Sequence, residues 1–397
     1  MSLFHYLLSG DDRLARQAIT NFAASITAEG LTQSRFPSHV PQIVAGFSLY
    51  WILQVCDHHL HFGDAAYARS FLPRIDGVLD FYDAHVDALG LVSGLPEDVW
   101  QYVDWVTAWG ATDDHPDKGV PVAGRRSNRH TFFSMLYAYV LQHAARLARD
   151  VGRPGHADEY ESRAKSVIGA VQRHCFDGRF FTDSTADVVV QHEGGGGGGG
   201  GGAYYSQHCQ VFAVLSGAAA AGDRARLLKE SFADGGGAGF SKCSYVMMFY
   251  ALRAFALAGD EVYETAWPGT WAPWRRMLGS HLTTWEEDDV RQRSDCHAWG
   301  SVPIYEYCTE VAGLHILAPG AARILFRPRL GLMGSVNATV ALGSDNTATV
   351  SWTTDADGGK KVELRLERAV DVVSQLPGEE AAERGVVKAL VLHARTR

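Results

Sequence analysis

Four times along this chain an apolar, helix-like run stops at Gly-Asp and a second helix-like run begins at once. The joints are Gly10-Asp11, Gly63-Asp64, Gly222-Asp223 and Gly259-Asp260. Runs such as SLYWILQVCDHHLHF and SYVMMFYALRAFALA precede them, and DDRLARQAITNFAAS, DAAYARSFLPRIDGVLDFY, DRARLLKESF and DEVYETAW follow. Glycine tolerates the left-handed conformation that ends a helix. Aspartate suits the N-cap, where its carboxylate accepts from a free N–H of the first turn. A two-residue joint sends the second helix back against the first, so the chain reads as serial antiparallel helix pairs. Further helical runs fit residues 128–151, 156–175, 205–221 and 297–313, which makes roughly ten or eleven helices before residue 315. A solenoid would repeat at a steady period. Here the joints are unevenly spaced, and long polar loops intervene at 94–127 and 281–296. These features predict a mainly α chain built as a closed α/α toroid of helical hairpins, with the two loops gathered at one mouth.

After residue 315 the pattern changes. Pro319-Gly320 and Pro328 break the helical periodicity, and RILFRP, SVNATVALG, TATVSWTT and KKVELRLE read as short alternating strands. Turn signals at 343–346 and 355–359 separate them. The expected domains are therefore a helical domain over 1–315 and a small antiparallel β-domain over 316–397. The end, ERGVVKALVLHARTR, fits neither pattern well. Gly194 to Gly202 is an unbroken glycine run with no structure of its own. No GK[ST] follows it, so a phosphate loop is a poor reading.

Bulk properties exclude several classes. The net charge of −9 and pI near 6.0 leave no electrostatic footprint for nucleic acid or an anionic membrane surface. No apolar run reaches the ~18–20 residues of a membrane span. The N-terminus lacks a basic region, and Gly10, Asp11 and Asp12 interrupt its apolar stretch, so it does not read as a signal peptide. Six scattered cysteines without C-x-x-C spacing fit reduced thiols and a cytoplasmic location. No cofactor and no metal are expected, and the oligomeric state is open.

The densest chemical cluster is 267–307. It sets Trp267, Trp271, Trp274, Trp285 and Trp299 beside Glu286, Glu287, Asp288, Asp289 and His297. Aromatic faces pack on the C–H faces of a pyranose ring while polar groups fix its hydroxyls, and a carboxylate in such a pocket serves as acid or base. Against this, an EEDD run is commonly a solvated loop. A second cluster, GLPEDVWQYVDWVTAWG, carries Asp104-Trp105 in a long loop; a loop anchored by aromatics is the plainer explanation. Arg35, in SRFPSHVPQ, precedes a helix start near Ile43. Asp57-His58-His59-Leu60-His61 looks metal-rich, but it falls on a last helical turn, where histidines suit the dipole, and it has no evident third ligand. Ser206-Gln207-His208 suggests a nucleophile with a base but lacks the G-x-S-x-G elbow.

Taken in order, GDDRLARQAI, LTQSRFPSHVPQIVAGFSLYWI, VDW, SQHCQVFAVLSG, CSYVMMFYAL, W-x-x-M-L-G with LTTWEE, SDCHAWGSVPIYEY and PGAARILFRP resemble the α-L-rhamnosidases of glycoside hydrolase family 78. The resemblance runs to about residue 353. LTTWEE with SDCHAW is specific, whereas the Gly-Asp joints are not. It implies an (α/α)6 barrel followed by a β-sandwich, and an inverting hydrolase acting on terminal α-L-rhamnosides without a cofactor. In such an enzyme one group protonates the leaving oxygen while a general-base carboxylate, about 6.5–9.5 Å away, activates water on the opposite face. The resemblance puts the base three residues after the second threonine of Thr283-Thr284, at Glu287. Glu286, directly after Trp285, is the rival, because the family shows Trp-Glu there. His297 and Trp299 match the His-aromatic pair of the sugar site, and Asp104-Trp105 matches the Asp-Trp pair with the tryptophan as sugar platform.

One departure matters. The family carries its acid in an Asp-x-Pro-x-Arg-(Glu/Asp) motif shortly before the segment matching HYLLSGDDRLARQAI, and residues 1–397 contain no such motif. The expectation is a barrel whose first helix and general acid lie outside this chain. The alternative is a sugar-binding remnant that is catalytically impaired. A toroidal lyase or epimerase is a third class; its chemistry wants a His or Tyr base beside the sugar. The glycine run yields its own test. Loop closure entropy grows only logarithmically with length, so deleting residues 194–202 is expected to move the melting temperature by no more than a few degrees in a thermal scan. A large loss would show that the run is packed.

Overall fold

The computed structural model describes residues 1–110, 118–185, 204–233, 239–288 and 294–395. The glycine run lies outside them, as do parts of the loops 94–127 and 281–296. Helices dominate to residue 311 and strands follow. The helices are α1 (Ser2–Ser9), α2 (Arg13–Ala24), α3 (Ala45–Phe62), α4 (Ala65–Ser70), α5 (Leu72–Ala84), α6 (Val122–Ser127), α7 (Thr131–Asp150), α8 (Pro154–His174), α9 (Gln207–Ser216), α10 (Arg224–Ser231), α11 (Tyr245–Ala258), α12 (Asp260–Thr270), α13 (Ala272–Gly279) and α14 (Val302–Tyr305). Contacts group the chain into two compact units. One comprises Met1–Ile19, Gln54–Ala68 and Ala298–Arg397; the other comprises Thr20–Leu53 and Arg69–His297. Among the described residues no helix is long and apolar enough to cross a membrane.

The Gly-Asp joints form helical hairpins by more than one device. Gly10 ends α1 at φ 63°, and Asp11 Oδ1 accepts the backbone N–H of Arg13 at 2.9 Å. Gly63 turns at φ 71°, and Asp64 Oδ1 accepts from the N–H of Tyr67 at 2.9 Å. These two joints follow the cap logic. The other two do not. The turn after α9 is made by Gly217 at φ 82°, while Gly222 sits in a short 3₁₀ turn, Ala221–Asp223. Asp260 is the first residue of α12, preceded by Gly259 at φ 128°. The longest hairpin, α7–α8, has no Gly-Asp at all. It turns through Val151 and Gly152, with Pro154 in the first turn of α8. Two consecutive phenylalanines, Phe132 and Phe133, begin an α7 that is buried on almost every side.

The run expected as one helix at 297–313 is divided into a 3₁₀ turn (Ala298–Gly300), α14 and a π-helical turn (Glu306–Val311). Pro303 lies in the first turn of α14, where its missing N–H costs nothing. Within the π turn region Glu310 is buried and accepts from Arg329 at 3.0 Å.

The sheet has strands β3 (Leu314–Ala318), β4 (Arg323–Phe326), β5 (Val336–Ala341), β6 (Thr347–Thr354), β7 (Gly359–Ser374) and β8 (Ala382–Arg395), in the order β3-β4-β7-β6-β5 with β8 also on β7. A two-residue parallel pair, β1 (Tyr205–Ser206) with β2 (Phe240–Ser241), stands apart in the helical unit. Register explains the alternation. Ala348, Val350 and Trp352 of β6 face Leu366, Leu364 and Val362 of β7, and all six are buried. Cross-strand apolar pairs on one face are the stabilising unit of such a sheet. The last segment, unassigned from sequence, is β8, an antiparallel partner of β7 with register shifts near Arg365/Val370 and Val372/Val373.

Five of the described histidines are buried, and two perturbed imidazoles, those of His61 and His143, make the fold acid-sensitive. Burial, helped by nearby His58, pushes the His61 imidazole down to about 4. Burial and Arg146 push His143 to about 3. The unfolded chain protonates such a histidine near ~6.5, so below that pH the unfolded state binds more protons than the folded one. Stability is therefore full above ~6.5 and falls as pH drops towards 4, by ~3 kcal/mol for His61 alone. Urea midpoints are expected to decline steeply between about pH 7.5 and about pH 4.5, and to decline less in His61→Gln. Equal wild-type midpoints at both pH values would exclude a buried neutral His61.

Candidate active site

The loop between α5 and α6 is long, yet it is tied at several points. Trp100 bonds to the backbone of residues 43–45: its N–H donates to Ile43 O and its carbonyl accepts from Ala45 N–H, both at 2.9 Å. Val103 N–H donates to Gly119 O and Gly119 N–H to Trp109 O, each at 2.8 Å. Gly119 stands at φ 73°, and a Cβ there would meet the Tyr102 ring at 2.5 Å. Arg125 braces the loop from α6, donating to the carbonyls of Gly110 (2.7 Å) and Trp109 (2.9 Å).

This bracing buries Asp104 completely. Its Oδ1 accepts from Trp105 N–H at 2.8 Å and from the Ser244 hydroxyl. Oδ2 accepts from Ser244 N–H at 2.8 Å and from His208 Nε2 at 2.7 Å. Four donors occupy the carboxylate, so its partners are protein groups.

Trp105, 9% exposed, turns its indole the other way. Its Nε1 donates to Glu287 Oε1 at 3.2 Å, across 182 residues of chain. The two motif clusters therefore meet. Trp100, Tyr102 and Trp105 form one aromatic cluster, with centroids 5.0 Å apart for Trp100–Tyr102 and 4.9 Å for Tyr102–Trp105. Burial, and then the charges of Asp104, Glu287 and Asp288, push the Tyr102 phenol well above its usual range.

The acidic run is no solvated loop: Glu286, Glu287 and Asp288 are 4%, 7% and 0% exposed. Asp289 lies outside the described residues. Adjacent in sequence, Glu286 and Glu287 point at different partners. Glu286 Oε2 accepts from Tyr245 Oη at 2.9 Å and lies 3.5 Å from Arg276 Nη2, which also reaches Tyr245 Oη at 2.6 Å. Backbone bonds close the loop around them: Glu287 N–H to Ser294 O and His297 N–H to Trp285 O, both 2.8 Å, with Thr284 Oγ1 donating to Asp295 O.

The remaining sequence candidates fall out as follows. Trp285 and His297 are half-buried at the two ends of that backbone clasp. Trp299 stands in the Ala298–Gly300 turn, which belongs to the other compact unit. Arg35 is exposed on the loop before α3. Ser206 does not pair with His208. Its Oγ donates to Asp183 Oδ1 at 2.5 Å and caps the N–H of Cys209 at 3.2 Å. In the His-rich turn, His58 Nε2 pairs with Asp12 Oδ2 at 3.0 Å. Among the described residues no group of three or more His, Cys, Asp or Glu side chains could hold a metal. Sequence reasoning did not single out Ser244, Tyr245 or Arg276. They lie in CSYVMMFYAL and W-x-x-M-L-G, two of the segments that carried the resemblance, and that was the available signal.

Residues 2–214, more than half of the chain, match the bacterial α-L-rhamnosidase six-hairpin glycosidase domain, and the chain belongs to that family. Its fold is shared by solved rhamnosidases. The family 78 rhamnosidase of Bacillus sp. GL1 is 21% identical with a TM-score of 0.75, covering 95% of this chain and 38% of its own. The native α-L-rhamnosidase of Aspergillus terreus is 13% identical at 0.71, covering 100% and 44%. That of Streptomyces avermitilis, complexed with L-rhamnose, is 18% identical at 0.65, covering 94% and 35%. The chain thus spans less than half the length of these structures. No curated protein sequence matches it significantly.

The site predicts a contrast in stability. Asp104→Ala leaves four donors of Trp105, Ser244 and His208 without their acceptor, and stripping one partner from such a buried set costs roughly 3–5 kcal/mol. Trp105→Phe removes one indole hydrogen bond and keeps most of the ring volume, at about 1 kcal/mol. Urea titration of both variants is expected to show the Asp104 loss as clearly the larger. Comparable small losses would mean that Asp104 is not structural.

Proposed function

We propose that this chain carries the sugar-cleaving centre of an inverting α-L-rhamnosidase, with Glu287 as general base. The observation that carries the reading is the hydrogen bond from Trp105 Nε1 to Glu287 Oε1. It joins a carboxylate to an aromatic cluster, the combination a pyranose pocket requires. Geometry favours Glu287 over Glu286. Glu286 is held by Tyr245 and Arg276, which suits an anchor, whereas Glu287 stands on the aromatic side. In this reading Trp105 and Trp285 are sugar-facing, with His297 and Arg35 contributing to the pocket. Asp104 contributes by fixing Trp105. The L-rhamnose bound to the relative from Streptomyces avermitilis supports rhamnose as the sugar removed.

Inversion needs an acid on the far side of the sugar from the base, and none of residues 1–397 is assigned that role. The test therefore uses two leaving groups. A nitrophenolate departs without a proton, whereas a sugar or flavonoid alkoxide needs one. General-acid help is typically worth ~10²–10⁴ in rate. The chain is expected to bind L-rhamnose, to hydrolyse p-nitrophenyl α-L-rhamnoside with release of the β-anomer, and to turn over natural rhamnosides far more slowly. Glu287→Gln should abolish the aryl activity while Glu286→Gln retains part of it. Loss in Glu286→Gln alone would move the base to Glu286. Rhamnose binding without any hydrolysis would favour a sugar-binding role, and brisk cleavage of a natural rhamnoside would show an acid within the chain.

A further inference from the structure

The buried histidine at the start of α9 has no role in the reading above, and its surroundings give it one. His208 is fully buried. A carboxylate only accepts, so His208 Nε2 donates to Asp104 Oδ2. Its ring lies against Trp109 at 4.8 Å and Phe132 at 6.4 Å, and among the described residues Nδ1 has no hydrogen-bond partner. The helix start bearing it is itself clamped. Gln207 Nε2 donates to Ser231 O at 3.0 Å and Gln207 Oε1 accepts from Cys243 N–H at 2.8 Å. Gln210 exchanges bonds with the backbone of Phe181, at 3.0 and 2.7 Å. A histidine seated this firmly sets the orientation of whatever it holds.

We propose that His208 is a positioning residue for the general base, acting with Ser244 through Asp104 and Trp105. The line of action is continuous. His208 and Ser244 orient the Asp104 carboxylate, Asp104 Oδ1 takes the Trp105 N–H, and the Trp105 indole holds Glu287 Oε1. His208 touches no substrate. It keeps Glu287 aimed at the attacking water, and misaiming by about 1 Å costs roughly 10²-fold in rate. The inference rests on Glu287 being the base, so its test needs a readout that does not depend on activity.

That readout is the indole N–H resonance of Trp105 in ¹⁵N-labelled full chain, identified by its loss in Trp105→Phe. It is expected to move in Glu287→Gln, to move likewise in His208→Leu, and to return towards the wild-type position in His208→Gln, which restores a donor at similar reach. In p-nitrophenyl rhamnoside assays His208→Leu should lower kcat roughly 10²-fold with KM little changed. The effect should be non-additive with Trp105→Phe, as for residues acting in one chain. If His208→Leu does not fold, Ser244→Ala removes another donor from Asp104 and is read by the same resonance. An unmoved Trp105 resonance in a folded variant, or kcat losses that simply multiply, would overturn the positioning role even in an active enzyme. A resonance that responds in a chain hydrolysing no rhamnoside supports the positioning role and overturns the proposed function instead.

Discussion

A carboxylate without any contact with water is tolerable only when donors replace its hydration shell. Asp104 meets that condition with four donors drawn from three separate parts of the chain: its own neighbour Trp105, His208 at the start of α9, and Ser244 just before α11. Each donor comes from an element that must already be in place. The carboxylate therefore requires the helices carrying His208 and Ser244 to hold one relative arrangement, and that arrangement sets the Trp105 peptide. Through the indole it also sets one oxygen of Glu287. Folding of the helical unit and geometry of the site are one problem, solved at one buried charge.

The paired glutamates show how adjacent residues take different duties. Along an irregular segment, successive side chains leave the backbone in different directions, and here each finds a different wall. Glu286 meets a phenol and a guanidinium; Glu287 meets an indole. The contact of Glu286 with Arg276 is charge-assisted, which suits that carboxylate to bracing the loop.

How much of this was legible from sequence depends on whether the signal was local. The caps at Asp11 and Asp64 are local chemistry and were readable. Gly222 and Asp260 carry the same letters, yet one sits inside a 3₁₀ turn and the other inside a helix, because packing of the following helix decides where a turn closes. β8 escaped reading because most of its residues from Ala382 to Ala394 are exposed or half-buried, so no buried apolar face marks it as a strand. Its partner β7 supplies the order. The EEDD run looked like a solvated loop because charge density is all a sequence displays; Glu286 and Glu287 are buried against Tyr245 and Trp105, which lie far away in the chain. His208 was visible only as a neighbour of Ser206, the wrong partner. Asp104, 104 residues away, is the right one, and no spacing rule reaches that far. Family motifs singled out Glu287 and Trp105, which a hydrogen bond joins, because such motifs encode the outcome of folding rather than its local causes.

The charges gathered around the aromatic cluster also bear on which chemistry the pocket suits. Asp104, Glu287 and Asp288 all raise the Tyr102 phenol, so their fields overlap within a few ångströms. The nearby cation of the site, Arg276, is already engaged by Glu286. A substrate bearing its own carboxylate would enter a region of like charge, where repulsion at about 4 Å amounts to several kcal/mol at the effective dielectric of a protein site. A neutral deoxyhexose carries no charge to be repelled and so meets no such barrier. Lyases acting on uronic acids need the opposite arrangement, with cations facing the sugar carboxylate and a His or Tyr drawing off the proton. Here His208 is turned onto Asp104, and burial, with the charges of Asp104, Glu287 and Asp288, holds the proton on the Tyr102 hydroxyl. The electrostatics of the cluster thus fit the neutral sugar of the proposed function.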